Sequence, residues 1–205
     1  MPASAALGAD IGPRHHGEGP QAPIGQNMLD IIVSAERIQE RVRQLAAEID
    51  RAAAGHRLHL VGVLTGAYVF MADLARALST PVTLDFMAVT SYGTGVSSSG
   101  EVRITKDLDS GIEDRHVLLV EDIVDTGRTL TYLHDVLRTR QPASLRTACL
   151  LSKPSRRVVE VAIDYIGFEI PDRFVVGYGL DLAGQYRNLP HLAALPPRPD
   201  TAPLT

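Results

Sequence analysis

VLLVEDIVDTGRTL, residues 117–130, runs from an apolar segment straight into a polar, glycine-containing helix start. HVLLV, 116–120, reads as a buried strand ending at Val120, and Glu121 and Asp122 follow at once. Leu130, Leu133 and Leu137 then recur at helical spacing. In open α/β sheets, ligands bind beyond the carboxyl ends of the strands, so the two acids are placed to meet one. The small residues of Asp125-Thr126-Gly127-Arg128-Thr129 leave backbone N–H groups free at a helix N-terminus, and the threonine hydroxyls add donors. Such a turn suits an anion, above all a phosphate. Carboxylates beside a phosphate site fit one ligand if that ligand also carries sugar hydroxyls, which donate to carboxylates, and a Mg²⁺ ion that bridges the two. A ribose phosphate with a metal satisfies both halves. The P-loop pattern GxxxxGK[ST] and the dinucleotide fingerprint GxGxxG are both absent. The plainer alternative is a solvated acidic turn that caps a helix.

Working outward, Ser34 caps a helix from Ala35, with Ile38, Val42, Leu45 and Ile49 on one face and Gly55 as its stop. LHLVGVL, 58–64, is a buried strand broken by Thr65-Gly66; 67–78 reads as a helix and VTLDFMAV, 82–89, as a strand. LRTACLL, 145–151, YIGFE, 165–169, and FVVGY, 174–178, supply three more strands. Strands alternating with helices predict an α/β fold, a mostly parallel central sheet flanked by helices. SYGTGVSSSG, 91–100, has four serines and three glycines and almost nothing to bury, which predicts a mobile loop. Residues 1–27 and 196–205 read as a loose leader and tail around one domain, 28–195. The first twenty residues lack the pattern of a signal peptide, and no run approaches the roughly 20 apolar residues of a membrane helix. A net charge of −4 gives no basic excess for nucleic acid, and the one cysteine, Cys149, excludes a disulfide framework and a CxxC zinc site.

The 117–130 segment resembles the phosphoribosyl-pyrophosphate (PRPP) signature of the type I phosphoribosyltransferases. VLTGA at 63–67, SYG at 91–93, LLSKP at 150–154 and GFEIPDRFVVGYGLD at 167–181 extend the resemblance, in order, to the hypoxanthine-guanine phosphoribosyltransferases over residues 29–195. The acidic signature is common to the superfamily; PDRFVVGYGLD is what points to the 6-oxopurine branch. The resemblance implies the type I fold with a small hood formed from the chain ends. It implies transfer of ribose 5-phosphate from PRPP to N9 of hypoxanthine or guanine, with Mg²⁺ required and pyrophosphate released. It also implies a cytoplasmic dimer or tetramer acting on small molecules, without nucleic acid or membrane.

Residue by residue, Glu121 and Asp122 match the pair that holds the ribose hydroxyls, with metal close by. The Asp125–Thr129 segment, Asp125, Thr126, Gly127, Arg128 and Thr129, matches the 5′-phosphate cradle, and Asp125 also matches the proton acceptor near purine N7. A plain helix cap is the other reading of Asp125, and both roles are expected of it. Thr65-Gly66 matches the pyrophosphate loop, with Thr65 in place of the usual lysine; a cis or strained Thr65–Gly66 peptide would support this role. Lys153 matches the donor to the purine 6-oxo group, Phe174 the aromatic stacked on the base, and Val175 the backbone that reads its edge. On composition alone, Phe174 reads as a core residue. Asp181 matches a carboxylate for a second Mg²⁺, and Arg187 an arginine for pyrophosphate. Ser91 and Tyr92 match the start of a lid that closes over the reaction. Two other readings remain: a PRPP-sensing regulator on the same fold, and a transferase for another 6-oxo base such as xanthine.

Overall fold

The computed structural model describes residues 29–91 and 102–196. The leader, the tail and most of the 91–100 loop, including Tyr92, lie outside the described residues. The elements in chain order are β1 (Asp30–Val33), α1 (Ala35–Ala53), β2 (Leu58–Leu64), α2 (Tyr68–Ala77), β3 (Val82–Ser91), β4 (Val102–Lys106), β5 (His116–Val124), α3 (Arg128–Arg138), β6 (Ser144–Ser152), β7 (Tyr165–Glu169), β8 (Val175–Val176) and β9 (Leu192–Ala194). Six strands form the main sheet in the order β4-β3-β2-β5-β6-β7. All its neighbouring pairs are parallel except β3 with β4.

The apolar runs of β2 and β5 are explained by helices on both sheet faces. On β5, Leu118 and Val120 join a core under α1 and α2 with Ile38, Leu45, Phe70 and Leu74. Val117 and Leu119 join the opposite core under α3 with Leu130, Leu133 and Leu137. A strand covered on both faces needs apolar residues at successive positions, not at alternate ones. The α1 N-terminus is capped as the sequence predicts: Ser34 Oγ accepts from Arg37 N at 3.4 Å.

β2 and β5 are neighbours, but the chain leaves β2 toward α2 and β3 and leaves β5 toward α3 and β6, on the other side. Their carboxyl ends therefore diverge, and a crevice opens there.

Two expectations change, and one is met. β5 does not end at Val120; it runs to Val124, because parallel pairing with β6 continues through Glu121↔Cys149 and Ile123↔Leu151. Glu121 and Asp122 are thus the last turn of pleat within a strand, not a loop after it. The 174–178 strand shrinks to Val175–Val176, because Gly177 and Tyr178 turn the chain with φ of 96° and 49°. β8 belongs to a second, antiparallel sheet, β1-β9-β8, built from segments near the two ends of the domain. This is the hood.

Candidate active site

The crevice is built around β5. Glu121 is buried, and burial together with the neighbouring Asp122 charge pushes its carboxyl well above the usual range. Asp122 is pushed up to about 6, chiefly by burial, against the pull of the Ile123 N–H at 2.7 Å and the Arg187 charge. Two carboxylates are held side by side in a place that disfavours their charge.

Gly66 explains how Asp122 fits. A Cβ at Gly66 would fall on the Asp122 carboxylate, so glycine is the residue that lets the β2 loop close over β5. Gly179, at φ 103°, approaches from the other side: a Cβ there would meet the Gly66 carbonyl. The cis peptide of this loop is Leu64–Thr65, one bond before the expected Thr65–Gly66. Thr65 itself is exposed. Arg187 donates to Gly179 O at 2.6 Å and pairs with Asp181 at 2.7 Å. Gly66, Asp122, Gly179, Asp181 and Arg187 thus meet at one end of the crevice.

At the start of α3 a small hollow of about 90 Å³ is lined by Glu121, Asp125, Thr126, Gly127 and Thr129, among others. Gly127 stands at the helix N-cap with φ 86°, and no side chain caps the helix. A side chain at Gly127 would also meet the Val159 carbonyl. Asp125 is therefore not the helix cap that one reading made it. Its carboxylate accepts instead from Arg156 Nε at 3.2 Å, while Arg157 donates to its backbone carbonyl at 3.0 Å. Arg128, the first helical residue, is exposed.

The third part of the site follows β6. Lys153 is buried, and its nearest carboxylate, Asp172, stands at 3.6 Å; among the described residues its ammonium makes no hydrogen bond. Asp172 also lies 3.6 Å from Arg156, so charges run in a chain Lys153–Asp172–Arg156–Asp125. Phe174 is not a core residue: 53% of its surface is exposed, although its backbone carbonyl is tied to Leu195 N and its neighbour Val175 is buried in the hood sheet. Ser91 ends β3, paired with Val102 at the start of β4.

Arg156, Arg157 and Asp172 are contacts that the sequence reading missed. They follow Lys153 and precede Phe174 in the chain, but only the fold shows that this segment doubles back onto Asp125.

The family model of the phosphoribosyl transferase domain matches residues 28–182, which defines the class: a phosphoribosyltransferase. The chain is 47% identical over 167 residues to the hypoxanthine phosphoribosyltransferase of Haemophilus influenzae, covering 80% of this chain and 93% of that one. It is 51% identical to a hypoxanthine-guanine phosphoribosyltransferase of Mycobacterium avium, covering 82% and 86%. A solved hypoxanthine phosphoribosyltransferase from Staphylococcus aureus superposes with a TM-score of 0.81 at 42% identity, covering 87% of this chain and 97% of that one. The chain belongs to the hypoxanthine(-guanine) phosphoribosyltransferase family, transferases of purine salvage. Among the described residues no helix is long and apolar enough to cross a membrane.

Proposed function

We propose that this chain transfers the 5-phosphoribosyl group of PRPP to N9 of hypoxanthine or guanine in the cytoplasm. The bond from ribose C1′ to N9 forms, the bond from C1′ to pyrophosphate oxygen breaks with its electron pair leaving on pyrophosphate, and the purine gives up one proton. The observation that carries the reading is Lys153. A lysine whose side chain is mostly buried, and whose ammonium makes no hydrogen bond among the described residues, offers a donor to an acceptor. A 6-oxo group accepts, whereas the 6-amino group of adenine donates. A site built around such a contact discriminates by about 10⁴.

The remaining roles follow from placement. Phe174, half exposed, offers a face for the base to stack on, and the Val175 backbone reads its edge. Asp125 accepts the N7 proton, with Arg156 engaging only its Oδ1 oxygen. The uncapped start of α3, with Thr126, Gly127, Arg128 and Thr129, cradles the 5′-phosphate. Glu121 and Asp122 accept from the ribose hydroxyls. Arg187 and the Thr65-Gly66 backbone hold pyrophosphate, where a guanidinium can bind two oxygens at once. Ser91 and Tyr92 begin the segment assigned to shielding the reaction from water.

The donor set suits Mg²⁺. Glu121 and Asp122 are hard oxygen donors whose charges repel one another in a buried place, which a divalent cation would relieve. Mg²⁺ binds through one or two carboxylates and completes its shell with phosphate oxygens and water. Asp181, now paired with Arg187, would face a second ion. When bound, Mg²⁺ would neutralise charge developing on the leaving pyrophosphate.

The test offers the purified protein PRPP and Mg²⁺ with hypoxanthine, guanine, xanthine, adenine or uracil, and follows nucleotide and pyrophosphate. Turnover of hypoxanthine or guanine that EDTA abolishes is the expected result. Turnover of xanthine alone would move the assignment to that base, and binding of PRPP without turnover of any base would overturn it in favour of a regulator.

A further inference from the structure

We propose that Asp73 and Tyr178 are positioning residues that lock together the two halves of the pyrophosphate end of the site; the assignment of that end rests on the function proposed above. Neither residue reaches the crevice itself. Asp73 lies on α2, the helix that starts just after Gly66, and Tyr178 lies in the turn between β8 and Asp181.

Tyr178 Oη donates to Asp73 Oδ2 at 2.5 Å, and the same oxygen accepts from Gln39 Nε2 on α1 at 2.8 Å. The other Asp73 oxygen pairs with Arg76. Tyr178 is 3% exposed and Asp73 is partly buried, so the bond joins a buried ring to the edge of the interior. Burial and the Asp73 carboxylate both push the Tyr178 hydroxyl well above its usual range, which keeps it a donor. Burial would raise the Asp73 carboxyl, but the bonds from Tyr178, Gln39 and Arg76 outweigh it and hold the group below its usual range.

The turn needs such a tie. Gly177, Tyr178 and Gly179 have φ of 96°, 49° and 103°, three consecutive residues in the left-handed region. A tyrosine there is disfavoured and persists only where its surroundings fix it. Backbone bonds to Leu189 and Arg187 hold one side of the turn. The Tyr178–Asp73 bond holds the other, and it runs to the helix that follows the Gly66 loop. Gly179 then rests against the Gly66 carbonyl, and its own carbonyl accepts from Arg187. A slack turn would let Gly179, Asp181 and Arg187 drift from Gly66 and Asp122. The purine end, built on β6 and Phe174, would be untouched.

The experiment measures Mg-pyrophosphate binding by calorimetry, and the KM values for PRPP and hypoxanthine, in the full chain and its variants. In Tyr178→Phe the ring stays and the donor goes. Pyrophosphate affinity falls and KM for PRPP rises, each about tenfold, the scale of one hydrogen bond to a charged group. KM for hypoxanthine stays within about twofold. Asp73→Ala reproduces this, the double variant is no worse than either single one, and Asp73→Asn, which keeps a carbonyl acceptor, stays within about threefold of wild type. Unchanged pyrophosphate affinity in a Tyr178→Phe protein that is less heat-stable would overturn the proposal and leave the bond a purely structural one. Equal weakening of PRPP and hypoxanthine would overturn it too. A wild-type chain that binds pyrophosphate but turns over no purine would defeat the purine assignment alone, since the calorimetric comparison still decides this one.

Discussion

Gly66→Ala puts the smallest possible side chain where the structure has no room. Its Cβ would fall on the Asp122 carboxylate, whose other oxygen accepts from Ile123 N at 2.7 Å. Two responses are open. If the carboxylate rotates away, it loses that charge-assisted bond, at about 1.5–3 kcal/mol. If the loop lifts instead, it meets Gly179, which already rests against the Gly66 carbonyl. Overpacking of this kind costs about 1–3 kcal/mol. A loss of roughly 2 kcal/mol lowers Tm by about 4–8 °C in a chain of this size. The kinetic loss is larger, because a shift of about 1 Å in a positioning group costs about 10²-fold. Thermal melts and steady-state kcat/KM with PRPP read both. Gly66→Ala combined with Asp122→Gly, which empties the contested space, recovers Tm but not activity. A Gly66→Ala protein with Tm within a degree or so of wild type and activity within about threefold would refute the claim that this glycine sets the approach of the two loops.

Other outcomes follow from the same geometry. Asp125→Asn lowers kcat by about 10²–10⁴ if the carboxylate takes the purine proton, and a loss under about threefold removes it from that role. Phe174→Ala raises KM for the base by the equivalent of about 1–3 kcal/mol of stacking, while Tm barely moves because the ring is half exposed; a large fall in Tm would make it a core residue after all. Asp122 is raised from 3.8 to about 6 by the fold, and Glu121 is raised with it, so the folded chain holds these protons more tightly than the unfolded one. The Asp122 contribution is therefore present below about pH 4 and lost as pH rises through about 6, and Glu121 acts in the same direction. In metal-free buffer, Glu121→Gln/Asp122→Asn melts higher than wild type at pH 7.5, and the gap closes toward pH 4; a variant that melts lower at pH 7.5 contradicts the assignment.

The main sheet and its helices were legible because their signals are local. LHLVGVL is apolar throughout and became β2 at the expected residues, and the 3.6-residue repeat from Ile38 to Ile49 became α1. The end of β5 was misplaced because an acid pair reads as the end of a strand. Here the partner strand β6 supplies the pairing that carries Glu121 and Asp122 inside. The hood strands are two to four residues long; Asp30 pairs with Ala194 across nearly the whole domain and Val175 pairs with Ala194 across an irregular stretch of turns, so no local pattern announces them. At the site, the residue types around Glu121 and Asp125 pointed to a sugar phosphate without any fold. The Arg156 contact on Asp125, the seat of Gly66 on Asp122 and the exposure of Phe174 depend on loops from different strands meeting, which a linear pattern does not encode.

The central claim is that Lys153 makes this a site for 6-oxopurines, and the ratio of kcat/KM for hypoxanthine to that for adenine tests it most directly. The expected ratio is about 10⁴ in the wild type, and it collapses by at least about 10²-fold in Lys153→Gln, whose amide can accept from an amino group as well as donate. Equal use of both bases by the wild type, or a ratio that survives Lys153→Gln, would contradict it.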